Sequence, residues 1–227
     1  MGLEDGIDDG LDDRRDDGFD AGLNDEAASG QTPLTAEEKE GLLFPHVATR
    51  GELDELEQQN IENAIEWTLQ RSFTADVLFN DTFIRLLHKR MFGDVWAWAG
   101  EFRTSNKNIG VDTWQISTEL RTLLDDVRYW HEHSTYSPDE TVLRFKHRLV
   151  SIHCFPNGNG RHSRLMADII IDAVYKLPVF TWGSAGSAGS TGTATHTTTE
   201  DPRRAYLRAI RAADRKDYHP LLVFART

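Results

Sequence analysis

The order of apolar and polar residues from Thr35 onward has the period of α-helices. Apolar residues recur three and four positions apart in successive segments, so each segment has one apolar face. These segments span residues 53–68, 83–91, 116–130, 142–152, 165–173 and 207–210. Asp81 is expected to cap the second helix, and Pro138 and Pro202 suit first-turn positions. The pattern therefore predicts an all-α fold.

Two segments depart from the helical pattern. Residues 108–116, NIGVDTWQI, have an extended character with turn residues at Gly110 and Asp112, which predicts a short β-hairpin. Residues 183–199, GSAGSAGSTGTATHTTT, have the composition of a flexible low-complexity loop. The expected architecture is a helical bundle with a β-hairpin flap and one long loop.

The negative charge of the chain is concentrated at its start. The 227 residues carry a formal net charge of −12, and residues 1–30 hold eleven acidic side chains and two arginines. This segment accounts for −9 and has little to bury, so we expect it to be an acidic disordered tail. The remainder is nearly balanced, which argues against general nucleic-acid binding.

Composition also limits the location of the protein. No apolar run approaches the ~20 residues that a membrane-spanning helix needs, so we expect no membrane association. The chain has one cysteine, Cys154, which excludes an internal disulfide and fits a reducing cytoplasm.

The stretch HCFPNGNGRHSR, residues 153–164, combines features suited to phosphate chemistry. His153 follows a predicted helix, and the glycines at 158 and 160 can adopt positive φ and turn backbone N–H groups toward an anion. The next helix is expected to begin at Gly160 or Arg161, with its positive end toward the same place. Arg161 and Arg164 are three apart, share a helix face and suit phosphate oxygens.

This stretch resembles the Fic family signature, H-x-F-x-[D/E]-G-N-G-R-x-x-R. A second stretch, LHKRMFGDVWAWAGEFR at residues 87–103, is similar to the family segment before its flap. Residues 35–227 resemble a Fic domain, specifically the subgroup called mobile mystery protein B. The resemblance implies a Fic-fold bundle whose flap, at Ile109, Gly110, Val111 and Asp112, aligns a target protein.

The resemblance also implies an activity, protein adenylylation: transfer of AMP from ATP to a Ser, Thr or Tyr hydroxyl of a target protein. His153 would be the general base, since its pKa lies near neutrality. Gly158, Asn159 and Gly160 would hold phosphate oxygens, and Arg161 and Arg164 would neutralise the leaving group. Mg²⁺ or Mn²⁺ would accompany ATP, and some relatives are toxin-like.

Two positions differ from the family pattern. Asn157 stands where an Asp or Glu normally helps to hold the metal, so we expect weaker metal binding. Many relatives are inhibited by a helix bearing [S/T]-x-x-x-E-[G/N], whose Glu pairs with the second arginine, here Arg164. The nearest match is QQNIEN, residues 58–63, in which Gln58 stands where the motif has Ser or Thr. This match makes Glu62 the candidate inhibitory residue. An antitoxin or inhibitor supplied by another chain is the competing hypothesis.

Two other functions stay open at this point. One is a different phosphate-group transfer, or removal of AMP, in the same pocket. The other is a non-catalytic module that binds a nucleotide or a protein. Asn157 favours the second of these, whereas the complete set of His153 and both arginines favours AMP transfer.

Overall fold

The computed structural model describes residues 35–47, 49–183 and 202–227. The predicted acidic tail and nearly all of the predicted low-complexity loop lie outside these residues. The described part is helical, with nine α-helices: α1 Ala36–Glu40, α2 Arg50–Leu69, α3 Ala75–Leu78, α4 Asp81–Phe92, α5 Ile116–Glu132, α6 Pro138–Ile152, α7 Asn159–Ala173, α8 Pro202–Asp214 and α9 His219–Arg226. None of these helices is long and apolar enough to cross a membrane.

Local sequence signals set the helix starts. Thr49 and Glu52 form a capping box at α2. Ser137 accepts the Glu140 N–H at α6, where Pro138 occupies the first turn as predicted. At α4 the cap is Asn80, which accepts the Thr82 N–H, and the predicted cap Asp81 is instead the first helical residue.

The helices pack around one apolar core. Helices α6 and α7 pack against each other, α5 covers α6, and α4 contacts both α2 and α7. Helices α8 and α9 form a second pair that packs against α6 through α9. The centre of the core includes Phe92, Phe145 and Phe155, each nearly inaccessible to solvent. This packing fixes the loop between α6 and α7, which contains the candidate site.

The predicted β-hairpin over residues 108–116 is absent from the structure. Residues 108–110 form a bend, Thr113–Gln115 form a 3₁₀ helix, and α5 begins at Ile116. The reason lies in the backbone of Val111, whose N–H donates to the Ile152 carbonyl and whose carbonyl accepts from the Arg103 guanidinium. These bonds take the place of a cross-strand ladder. Asp112 and Gln115 then cap the 3₁₀ turn with reciprocal bonds.

Candidate active site

His153 lies at the C-terminal end of α6 in a left-handed conformation, with φ of 57° and ψ of 60°. A non-glycine residue rarely adopts this region, and it ends the helix and redirects the chain into the loop. The carbonyl of His153 accepts a hydrogen bond from Arg103 Nε at 2.6 Å. The same buried guanidinium donates to the carbonyl of Ser105 at 2.9 Å and to that of Val111. Arg103 therefore holds the segment after residue 103 against His153.

The imidazole of His153 is neutral at physiological pH. Burial lowers its pKa to about 4, and the nearby charges of Arg103 and Lys107 act in the same direction. A general base must be unprotonated before it accepts a proton, so this environment keeps His153 in the required form, although its pKa lies below the near-neutral value expected from the sequence.

The loop between α6 and α7 turns at Gly158, which has φ of +77°. A Cβ at this position would lie 2.5 Å from the ring of Phe92. Gly160 does not take the positive φ that the sequence predicted, because α7 begins one residue earlier than expected, at Asn159. A Cβ on Gly160 would meet no atom within 4 Å, so this glycine faces open space at the N-terminal end of α7.

The side chain of Asn159 holds the loop together. Its Oδ1 accepts the Phe155 N–H at 3.0 Å, and its Nδ2 donates to the Phe155 carbonyl at 2.8 Å. The amide is buried, so the sequence-based expectation that Asn159 holds a phosphate oxygen can apply only to its backbone N–H. Phe155 itself is buried in the core and anchors the loop there.

The two arginines of the signature contact different parts of the protein. Arg161 Nη1 pairs with Glu57 Oε2 at 2.6 Å, and its guanidinium lies 4.9 Å from the centre of the Phe92 ring. Arg164 lies 5.3 Å from the centre of the Tyr206 ring on α8, and its Nε is 3.5 Å from the Gly160 carbonyl. Both remain on the first turns of α7, next to the loop.

The acidic residue that reaches the site is Glu57, which sequence reasoning missed. It is 2% exposed, and its second oxygen accepts the Trp96 indole N–H at 2.6 Å. Glu62, the predicted inhibitory residue, is exposed and accepts a hydrogen bond from Gln58 at 3.0 Å. The predicted pairing of Glu62 with Arg164 is therefore not present.

A buried histidine of α4 supports the loop from below. His88 Nδ1 accepts the Gly100 N–H at 3.0 Å, so its Nε2 carries the proton and donates to the Asn157 carbonyl at 3.0 Å. Its ring stacks on Phe155 with a centroid separation of 3.7 Å. Burial lowers the pKa of His88 well below its ordinary value, so it remains neutral. The only sequence signal for this role was its place in the stretch 87–103.

The predicted flap residues lie beside His153 although they form no hairpin. A Cβ on Gly110, whose φ is +92°, would lie 2.6 Å from the Cβ of His153, so only glycine permits this approach. Ile109 is 50% exposed and Trp114 is 76% exposed. The segment thus presents two large apolar side chains to solvent next to the candidate base.

Cys154 and Asn157 lie in the same loop, between α6 and α7. Burial raises the pKa of the Cys154 thiol to about 12, which removes it as a nucleophile. Asn157 Oδ1 accepts the Gly158 N–H at 2.6 Å. Within the described residues, no group of three His, Cys, Asp or Glu side chains could hold a metal ion. The chain therefore supplies one neutral amide oxygen at the position where the family has a carboxylate.

Comparison with known proteins agrees with this geometry. Residues 78–171 match the model of the Fic/DOC family. No curated protein sequence matches the chain.

Solved structures of Fic proteins share the fold at low sequence identity. Fic-1 from C. elegans superposes with a TM-score of 0.57 and 17% identity, over 90% of this chain and 53% of that chain. BepC, a VirB-translocated effector of Bartonella tribocorum solved with bound AMPPNP, gives a TM-score of 0.59 and 16% identity, over 85% and 97%. The match thus spans about half of the solved C. elegans fragment, which comprises residues 134–508 of that protein, but nearly all of the solved BepC chain. This chain shares the fold of these Fic structures, and its residues 78–171 match the Fic/DOC family model.

Proposed function

We propose that this protein is a Fic-type adenylyltransferase that moves AMP from ATP to a Ser, Thr or Tyr hydroxyl of a target protein. The observation that carries the proposal is a buried, neutral His153 at the start of the loop that leads into the N-terminus of α7 and its two arginines. Members of the family transfer AMP or other nucleotide groups to proteins, and BepC was solved with an ATP analogue.

In the proposed reaction, His153 accepts the proton of the target hydroxyl as the oxygen attacks the α-phosphorus of ATP. The new bond joins the hydroxyl oxygen to the α-phosphorus, and the bond from the α-phosphorus to the bridging oxygen of pyrophosphate breaks in line. Pyrophosphate leaves with the electron pair, and His153 later returns its proton to solvent.

The leaving group would be stabilised at the start of α7. The N–H groups at the start of a helix lack partners within the helix, and a Cβ on Gly160 would meet no atom within 4 Å, which leaves room for an anion there. A guanidinium has five donors, so Arg161 can keep its bond to Glu57 and still donate to phosphate. We infer that Glu57 orients Arg161, while Arg164 is available to the distal phosphates.

A metal ion would contribute charge neutralisation for the phosphates. Mg²⁺ commonly takes most of its ligands from phosphate and water, with few protein oxygens. We infer that Asn157 is at best a weak ligand here, and that Mg²⁺ or Mn²⁺ is carried mainly by ATP itself.

The exposed side chains of Ile109 and Trp114 would contact the target protein near the acceptor hydroxyl. Because Glu62 does not reach the site, inhibition by a separate protein chain is the regulatory hypothesis that we retain. Such a chain would cover the same opening as the target.

Incubation with ATP labelled at the α-phosphate, in cell extract with Mg²⁺ or Mn²⁺, tests the proposal. Label should appear on protein with the wild type and with His133→Ala, which changes an exposed histidine, but not with His153→Ala. Label transferred only from the γ-phosphate would indicate kinase-like chemistry. Nucleotide binding without transfer, even in Asn157→Asp, would favour the non-catalytic module.

A further inference from the structure

A fully buried lysine lies close to the phosphate-binding arginine Arg164. Lys146 is on α6, two helical turns before His153, and its side chain has no solvent exposure. Its Nζ donates a hydrogen bond to the hydroxyl of Tyr206 on α8 and lies 4.5 Å from the centre of that ring. Helices α6, α7 and α8 therefore each contribute one polar side chain to a single cluster of Lys146, Arg164 and Tyr206.

This cluster has two basic groups and no paired acid. Within the described residues, neither Lys146 nor Arg164 has a carboxylate within ion-pair distance. Asp168, one helical turn after Arg164, accepts hydrogen bonds from the Trp182 indole at 3.0 Å and the Phe180 N–H at 3.2 Å. Its carboxylate therefore hydrogen-bonds other groups, although its charge also attracts that of Arg164. Among the described residues, the cluster thus has two basic groups with no carboxylate in direct contact, which is the composition of an anion site.

The physical consequence is that burial without an anion favours the neutral form of the Lys146 amine. Burial lowers the pKa of Lys146 well below its ordinary value, and the charge of Arg164 lowers it further. The charged or titratable groups near the amine are Arg164 on α7, Tyr206 on α8 and His147 on its own helix. An anion paired with Arg164 would cancel the repulsion from that guanidinium and favour the ammonium form.

We propose that Lys146 is a positioning residue of the phosphate site. It remains neutral while Arg164 lacks an anion, and it takes up a proton when the distal phosphates of a nucleoside triphosphate pair with Arg164. The proposal rests on the proposed nucleotide site. It adds a residue outside the signature that responds to the length of the phosphate chain, because AMP has no distal phosphate to reach Arg164. Lys146 would act through Arg164 and Tyr206, without contact with the nucleotide.

Titration calorimetry in two buffers of different ionisation enthalpy measures this proton directly. At neutral pH, the wild type should take up about one proton on binding the non-hydrolysable triphosphate AMPPNP and close to none on binding AMP. Lys146→Met should bind AMPPNP about tenfold more weakly, as expected for the loss of one charged partner, and without proton uptake. Lys176→Met, which changes an exposed lysine, should behave as the wild type.

The outcomes separate this proposal from the proposed function. Binding of AMPPNP by the wild type without proton uptake, or equal uptake in Lys146→Met, would overturn the role of Lys146 and leave the nucleotide site standing. Failure of the folded wild type to bind any nucleotide would overturn both. Because the wild-type measurement alone decides the first point, the test does not depend on how well the variant folds.

Discussion

Replacing Gly158 with alanine tests whether the turn before α7 is set by close packing. The residue has φ of +77°, and an added Cβ would lie 2.5 Å from both Cε2 and Cζ of Phe92. Phe92 is 1% exposed, so its ring has little room to move. Gly160, two residues later, provides a matched control because its Cβ would meet nothing within 4 Å.

The cost of Gly158→Ala can be built from two contributions. A left-handed alanine costs roughly 1–2 kcal/mol. The overlap with Phe92 requires a shift of the ring or of the loop, and overpacking of this kind costs about 1–3 kcal/mol. We therefore expect a loss of about 2–5 kcal/mol, which for a domain of this size lowers Tm by roughly 4–20 °C. Gly160→Ala is helical and unhindered, so its free energy of unfolding should change by less than ~0.5 kcal/mol.

Urea unfolding of the two variants, together with AMPPNP binding, separates stability from function. Gly158→Ala should lose stability, whereas Gly160→Ala should keep its stability and lose nucleotide affinity, because the new methyl group enters the space proposed for phosphate. Equal stability of Gly158→Ala and the wild type would refute the packing argument. Unchanged AMPPNP affinity in Gly160→Ala would refute the placement of phosphate over the first turn of α7.

Three further changes follow from the site. Glu57→Gln removes the carboxylate that pairs with Arg161 and should lower the free energy of unfolding in urea by roughly 2 kcal/mol. The exposed Glu62→Gln should lower it by less than ~0.5 kcal/mol, and equal effects would contradict the pairing of Glu57 with Arg161. Asn157→Asp should lower the Mg²⁺ concentration for half-maximal AMP transfer by about tenfold, and an unchanged metal titration would show that residue 157 is not a ligand. Burial lowers the pKa of His162 from 6.5 to about 4. Between these pH values the folded state therefore binds fewer protons than the unfolded state. Roughly 3 kcal/mol of the free energy of unfolding that is present above pH ~6.5 should be lost as the pH falls toward ~4. In His162→Gln the loss between these pH values should be smaller than in the wild type by this amount, the remainder belonging to His88 and His153, and an unchanged loss would show that His162 does not contribute.

The sequence predicted the elements whose signals are local. Helix α6, from Pro138 to Ile152, follows from its first-turn proline and its apolar spacing, and the positive φ of Gly158 follows from the glycine-rich turn. The start of α7 was less accurate because the buried amide of Asn159 bonds the Phe155 backbone and brings this residue into the first turn. That bond depends on the three-dimensional course of the loop, which composition does not report.

The β-hairpin was predicted wrongly for a related reason. Residues 108–116 have the composition of a hairpin, but a hairpin requires a partner strand for its backbone groups. Here the Arg103 guanidinium and the Ile152 carbonyl at the end of α6 hydrogen-bond the backbone of Val111, so these backbone groups do not pair with a second strand. A buried arginine that bonds three carbonyls is a tertiary feature, and it replaces the local preference of the segment.

Two patterns in the sequence select different glutamates of α2. The motif comparison selects Glu62, whereas the apolar face of the helix includes Glu57. The motif comparison selected Glu62 from its neighbours in sequence, but helix periodicity places it on the exposed side of α2. Glu57 lies four residues after Leu53 and four before Ile61, both of which are buried. An acidic residue on an apolar helix face needs a buried cation or donor, and here it has Arg161 and Trp96. Where a motif and a helix face disagree about which acid enters a site, the cost of burying an unpaired carboxylate makes the helix face the stronger guide.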